Sequence, residues 1–325
     1  MKIVKIRSED VDSNPDSYNS NFHTELEAPG LPIPSETPQS FLRWLPLITR
    51  SQAIPPTSIQ HIILTPPQTQ LILDASQASL HTRELNRLYA EELADLKSAF
   101  KSLSFPPEGF FLRLDECSPK DGVRGIAPLK SAEQIILRLT TSHRATNAMI
   151  RQRDKNGGFV ELVFLPYNGK MDTAKEFRVF CAPPDGRITG VSQYKWHKPS
   201  FLTRKAPGEI SRIVDTIMQD ILRIHKEIMA EVGSDRGGAM DKLLLEQGFT
   251  FDVMFDEISR RCALIELNSF GARSGCGSCL FHWLRDMEVL HGKQLQRKRG
   301  GDPGMGDVEF RISINESLEG LHHSC

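Results

Sequence analysis

No apolar run in this 325-residue chain approaches the roughly 18 residues that a membrane-spanning helix needs. The opening Met1-Lys2-Ile3-Val4-Lys5-Ile6-Arg7 turns polar before a signal-peptide core can form, so a cytoplasmic protein that joins no membrane is expected. Cysteine is sparse. Six residues, at positions 117, 181, 262, 276, 279 and 325, suit reduced thiols and exclude a disulfide framework in so long a chain. Net charge is nearly absent as well, with 40 Lys and Arg against 41 Asp and Glu, so no global field draws the chain to nucleic acid. The phosphate loop G-x-x-x-x-G-K-[ST] and the dinucleotide fingerprint G-x-G-x-x-G are both missing. No internal repeat is visible, and the ten histidines offer no Ser/His/Asp arrangement for nucleophilic hydrolysis.

What is present is globular: 39% apolar and 25% charged residues, and enough length for one large or two ordinary domains with real cores. Residues 1–40, rich in Ser, Asn, Asp and Pro from residue 8 on, show no sustained period and read as an extended or disordered arm. Ile59 to Leu64 is a β-branched run halted by Pro66-Pro67, which predicts a short strand. Leu85, Leu88, Leu93, Leu96, Phe100 and Leu103 recur at helical spacing and predict one amphipathic helix from Ser79 to Leu103. Further on, Phe110–Leu114 and Phe159–Phe164 predict strands, Ala132–Leu139 predicts a helix, and Phe177–Cys181 with Ile188–Ser192 predict a hairpin across Pro183-Pro184-Asp185-Gly186. The isoleucines at 210, 213, 217, 221, 224 and 228 mark a helix from Glu209 to Val232, closed by Gly233. Phe249–Phe255 and Cys262–Leu267 predict two antiparallel strands. Arg297 to Gly301 reads as a solvated loop and Val308–Ile314 as a final edge strand. Strands and helices mixed without regular βαβ order indicate an α+β fold.

Three groups could carry chemistry. Glu266 and Asn268 lie two apart on a strand and share a face, and Asp252 can oppose them across the ladder. Three oxygen donors converging there suit magnesium; the alternative is a solvated sheet face. Arg113 and Lys120 flank a Ser-Pro-Lys-Asp-Gly loop and could meet phosphates, or could simply mark a strand end and its turn. Glu176 and Arg178 share a strand face, either as a structural pair or with Arg178 clamping a phosphate. Cys276-Gly277-Ser278-Cys279, with His282 close behind and His322-His323-Ser324-Cys325 at the tail, offers a single C-x-x-C; zinc, a redox pair and free thiols all remain open, free thiols being favoured.

These motifs resemble the cell division cycle protein 123, or D123, family. Phe41 with Trp44 and Pro46 is similar to its aromatic motif, and Ile62-Ile63-Leu64-Thr65-Pro66-Pro67-Gln68 to its apolar-proline segment. Leu112 to Asp121 resembles its nucleotide-binding strand and loop, Glu161-Leu162-Val163 its hinge, and Glu176-Phe177-Arg178 and Ser192-Gln193 match closely. Phe251-Asp252 and Ile265-Glu266-Leu267-Asn268-Ser269-Phe270-Gly271 resemble its metal segment, and the order holds over roughly residues 40 to 315. The chain also departs from the pattern. Arg113 stands where the family usually has Lys, Leu165-Pro166 replaces an Arg-Lys pair, Tyr194 replaces a basic residue, Glu266 replaces Asp, and Ala272 to Cys279 replaces a shorter acidic segment.

The resemblance implies an ATP-grasp fold over residues 41–325, two α+β subdomains divided near residue 165 that grip ATP-magnesium between antiparallel sheets. Carried over, it implies that Arg113, Ser118, Asp121 and Arg178 meet phosphate or line its loop, that Glu161, Leu162 and Val163 hold the adenine, and that Asp252, Glu266 and Asn268 ligate magnesium. It also implies a partner. Family members bind the gamma subunit of translation initiation factor 2 and promote assembly of that heterotrimer, which would make Phe41 and Trp44 partly exposed docking residues; the alternative is that both are core. The alternative, from the wider fold, is a carboxylate–amine ligase that forms an acyl phosphate in small-molecule or peptide biosynthesis.

Overall fold

The computed structural model describes residues 1–155, 157–233, 238–292 and 308–315. The strands among them are β1 (Lys2–Arg7), β2 (Gln60–Leu64), β3 (Phe110–Arg113), β4 (Val160–Pro166), β5 (Glu176–Ala182), β6 (Arg187–Gln193), β7 (Phe249–Asp256), β8 (Arg261–Ser269) and β9 (Glu309–Ile314). The helices are α1 (Ser8–Ser13), α2 (Phe41–Ser51), α3 (Pro66–Thr82), α4 (Ala90–Leu96), α5 (Ala132–Thr140), α6 (His143–Lys155), α7 (Pro207–Val232), α8 (Gly238–Gln247) and α9 (Met287–Leu290). No described helix is long and apolar enough to cross a membrane. Two compact units result: Met1–Gln52 with Lys170–Cys325, and Ala53–Gly169.

The smaller unit is an antiparallel sheet in the order β2-β4-β3. Leu64, Leu112, Val160, Leu162 and Phe164 from its strands share one apolar cluster with Ile72 of α3 and Ile135 and Leu139 of α5. The two prolines that stop β2 also start α3. Pro66 takes the first helical position, where its missing N–H costs nothing, and Thr65 and Gln68 cap the end reciprocally. The single helix expected over 79–103 is not formed. Arg83 adopts a left-handed backbone that ends α3 at Thr82, and a 3-10 turn at Arg87–Tyr89 leads into the short α4. The apolar spacing combined two separate segments: Leu88 is 86% exposed, whereas Leu93, Leu96, Phe100 and Leu103 are buried.

The larger unit holds a six-stranded sheet in the order β1-β9-β6-β5-β7-β8. β9 runs parallel to both β1 and β6, and the remaining pairs are antiparallel. The 26-residue α7 buries Ile210, Ile213, Ile217, Ile221, Ile224 and Ile228, a continuous stripe in which each side chain contributes roughly 1.5–3 kcal/mol. His225 of α7 stacks near Phe249 and Phe251, which fixes the odd-numbered residues at the start of β7 toward this helix. The opposite face is covered by the 270–290 stretch, where Phe281 and Trp283 meet Phe180 edge-on.

Three differences from the sequence reading arise in this unit. Residues 1–40 are not an extended arm throughout: β1 pairs with β9 along its whole length, and Val11 and Ala28 are each 2% exposed. For the same reason β9 is an interior strand and not an edge. Phe41 and Trp44 are not exposed docking aromatics, because the amphipathic α2 turns both inward and Trp44 Nε1 donates to the Pro38 carbonyl at 2.8 Å. The Arg297–Gly301 loop and the His322–Cys325 tail lie outside the described residues.

The outer edge of the sheet is closed by side chains. Cys262 N–H donates to Asp220 and its carbonyl accepts from Arg223, both of α7, while Leu264 N–H donates to Ser51 Oγ and its carbonyl accepts from Gln52. At Cys262 and Leu264 the edge of β8 therefore has no free ladder groups for a foreign chain.

Candidate functional site

The ladders of the larger unit build a polar row across four strands. Ser192 of β6 lies opposite Arg178 of β5, Arg178 opposite Asp252 of β7, and Asp252 opposite Glu266 of β8; Thr250 opposite Asn268 continues the last pair. Directly opposed residues project to one face, here the face away from α7. A bulge between Asp252 and Val253 interrupts the register just past the row.

At its centre Arg178 grips Asp252 with both arms of its fork: Nε donates to Oδ1 at 2.8 Å and Nη2 to Oδ2 at 2.7 Å. Asn268 Nδ2 adds a longer contact to Oδ2 at 3.3 Å. Asp252 is 0% exposed and Arg178 5%, so neither charge is offset by water. Burial works against the Arg178 charge, yet the neighbouring Asp252 carboxylate outweighs it and holds the guanidinium pKa well above its ordinary value. The remaining arm, Nη1, donates to the Gly277 carbonyl at 2.7 Å, and the guanidinium stands 5.1 Å from the centre of the Tyr194 ring. Tyr194, the residue standing in for a basic one, is thus part of the arginine's cage, and burial raises its phenol pKa.

The wall above the row comes from two stretches about 250 residues apart in sequence, and spacing alone did not reveal it. Asn19 N–H donates to the Cys279 carbonyl, Ser278 N–H to the Ser20 carbonyl, Phe22 N–H to the Ser274 carbonyl and His23 N–H to the Ala272 carbonyl. Asn19 Oδ1 accepts from Cys279 N–H. A Cβ on Gly277 would overlap Asn19 Oδ1, and one on Gly275 would come within 2.7 Å of the Phe22 ring. The glycines of this stretch were the available signal: they admit a close neighbour, although they do not name it. On the other side Arg311 of β9 ties the stretch down through the Leu280 carbonyl and Asp286, its guanidinium 3.9 Å from the Phe281 ring centre.

Cys276 and Cys279 sit inside this wall. Both are buried free thiols whose pKa burial raises, and Cys276 Sγ faces Thr250 Oγ1 at 3.3 Å. His282 accepts the backbone N–H groups of Leu284 and Arg285 on Nδ1. Among the described residues no three His, Cys, Asp or Glu side chains form a metal-holding group, a set that does not count Asn268.

In the smaller unit the residues expected to meet a nucleotide lie on β3, on β4 and in the loop after β3, and the ladder brings Arg113 and Val163 together. Arg113, nearly buried, ends β3 opposite Val163 of β4. Leu162 and Val163 are fully buried, and Glu161 meets His61 Nδ1 at 2.8 Å. Because β3 stops at Arg113, Glu161 and Leu162 pair with β2 alone. Ser118 is buried in the following loop, while the Asp121 carboxylate accepts from Ser142 Oγ and Arg144 N–H and so caps α6.

A cavity of about 360 Å³ in the larger unit lies away from the polar row, lined by Arg50, Ser51, Arg223, Glu227, Arg261 and Cys262. Its arginines are paired with Glu231, with Asp220 and Glu227, and with Asp220, so it is an ion-pair network.

The D123 family model matches residues 126–318. Among solved structures, C-terminally truncated Cdc123 from Schizosaccharomyces pombe is similar at 19% identity and a TM-score of 0.51, over 85% of this chain and 96% of that one. A second structure of Cdc123 from Schizosaccharomyces pombe gives 18% identity, 88% and 100% coverage and a TM-score of 0.49. D-alanine-D-alanine ligase from Helicobacter pylori aligns at 12% identity over 78% of this chain and 57% of that chain, with a TM-score of 0.35. No curated protein matches the chain. The fold class is α+β, and the fold is similar to that of Cdc123.

Proposed function

The chain belongs to the D123 family, and on that premise we propose that it binds ATP with magnesium and serves as an assembly chaperone for translation initiation factor 2, through that factor's gamma subunit. The observation that carries the reading is the Arg178, Asp252, Glu266 and Asn268 row, which lies wholly within the matched stretch. Two carboxylates and an amide on one sheet face are the hard oxygen donors that suit magnesium, so the donor set fits that ion in kind. When bound, magnesium would neutralise charge on nucleotide phosphates. The protein's own share is to present those oxygens and to keep Arg178, a fork suited to phosphate, beside them.

For the nucleotide we assign Arg113, Ser118, Asp121, Glu161, Leu162, Val163 and Arg178. Glu161 and Leu162 extend past the end of β3, which supports a role for their backbone in holding a planar base. Asp121 already caps α6, so its assigned part is to shape the loop. A chaperone for a translation factor works in the cytoplasm, where we place this protein.

The test is capture of purified gamma subunit by the full chain, with and without ATP and magnesium, beside a melting curve for each condition. Capture that depends on ATP and magnesium is expected. A nucleotide-dependent rise in melting temperature without capture would move the function to the carboxylate–amine ligase reading, and the absence of both would remove the ATP assignment.

A further inference from the structure

Asp252 fits the magnesium assignment in chemistry but is already engaged in geometry. A carboxylate has two oxygens, and both are held by the Arg178 fork at 2.8 and 2.7 Å with the pair fully enclosed. The fork takes one lone pair of each oxygen and Asn268 leans on Oδ2 as well, and a divalent ion added to the same buried carboxylate would sit close to the guanidinium, where two cations repel in a poorly screened interior. Arg178 is also held from its other sides, by the Gly277 carbonyl and the Tyr194 ring. Nearby carboxyls are Glu176, two residues back on the same strand face, and Glu266 across from Asp252.

We propose that Arg178 is the resident cation of this site and competes with a divalent metal ion for Asp252, so that the metal gains Asp252 only when an anion draws the guanidinium away. The inference rests on the magnesium reading above and adds its regulation. Charge balances in both states: the guanidinium exchanges carboxylate for phosphate, and the carboxylate exchanges guanidinium for metal. Since each exchange frees the partner the other needs, metal and anionic ligand strengthen one another's binding, and the coupling is reciprocal. Metal alone meets a carboxylate whose charge Arg178 already neutralises.

The experiment titrates the full chain with Mn2+ alone, without nucleotide, and reads free Mn2+ by its electron paramagnetic resonance signal. Wild type is expected to bind weakly. Arg178→Gln, checked for folding by circular dichroism and melting, is expected to bind one Mn2+ at least tenfold more tightly, and the gain should vanish in Arg178→Gln combined with Asp252→Asn. Should the glutamine variant not fold, Arg178→Lys keeps the charge but loses the fork, and a smaller gain of the same sign is expected. A folded Arg178→Gln, or failing that a folded Arg178→Lys, with wild-type Mn2+ affinity would overturn the proposal. The two readings part cleanly: wild type that binds ATP with Mn2+ while Arg178→Gln shows no gain loses the competition alone, whereas wild type that never binds ATP with metal loses the magnesium reading itself.

Discussion

Asn19 and Gly277 stand so close that only the absent side chain of the glycine lets them meet, and the carbonyl of that same glycine holds Arg178. Contact between residues so far apart in sequence passes directly to the arginine at the centre of the polar row. The first stretch of the chain is therefore part of the site's support.

Gly277→Ala is expected to destabilise the larger unit by about 1–3 kcal/mol, the usual cost of forcing a methyl group into a filled space. Urea denaturation measures it. Loss of less than roughly 0.5 kcal/mol, typical of an unconstrained surface position, would show that the two stretches are not locked together.

Arg178→Ala is expected to cost on the order of 3–5 kcal/mol, because it leaves Asp252 buried without its counter-charge. Replacing both residues, Arg178→Met with Asp252→Leu, should cost clearly less than Arg178→Ala, since no bare charge remains. A double-mutant cycle read by chemical denaturation gives the coupling.

Trp44→Ala should lower stability by roughly 3–5 kcal/mol, as expected for a large aromatic removed from a core. Trp44 is 2% exposed and its indole N–H is bonded, so loss of melting temperature, and not selective loss of partner binding, is the expected signature. A variant that melts like wild type but no longer captures the gamma subunit would return Trp44 to a docking role.

His225 predicts a pH dependence. Burial lowers its pKa below the ordinary 6.5, while its Nε2–H donates to the Gly186 carbonyl at 2.8 Å and Asp185 opposes the shift. Above 6.5 the ring is neutral in folded and unfolded chains alike, and its contribution is fully present. As pH falls below that value the unfolded chain takes up a proton that the folded chain resists, so stability declines until the lowered folded pKa is passed. His225→Gln should flatten the profile of melting temperature against pH below 6.5.

Elements whose signal lies within a few residues were legible in the amino-acid order. The isoleucine stripe of α7 reads as a helix because helical geometry repeats every 3.6 residues whatever the neighbours are. The β5–β6 hairpin follows from its turn, and opposition of Asp252 to Glu266 follows from two adjacent strands joined by a short polar connection. The helix read over 79–103 failed because spacing registers which residues are apolar and not whether one backbone joins them; Arg83 breaks the helix with a left-handed conformation that no apolar pattern encodes.

Pairings between distant segments belong to another level. That β5 lies beside β7, and so places Arg178 on Asp252, depends on strand order across some 70 residues of intervening chain, which loop-closure entropy leaves nearly unbiased and burial decides. The docking of β1 on β9, and of Asn19 into the notch at Gly277, is of the same kind. Residue types and their local periods thus set which oxygens and guanidiniums are available to this protein. Long-range packing sets which of them share one dry enclosure, where a charge must find its partner because water cannot serve.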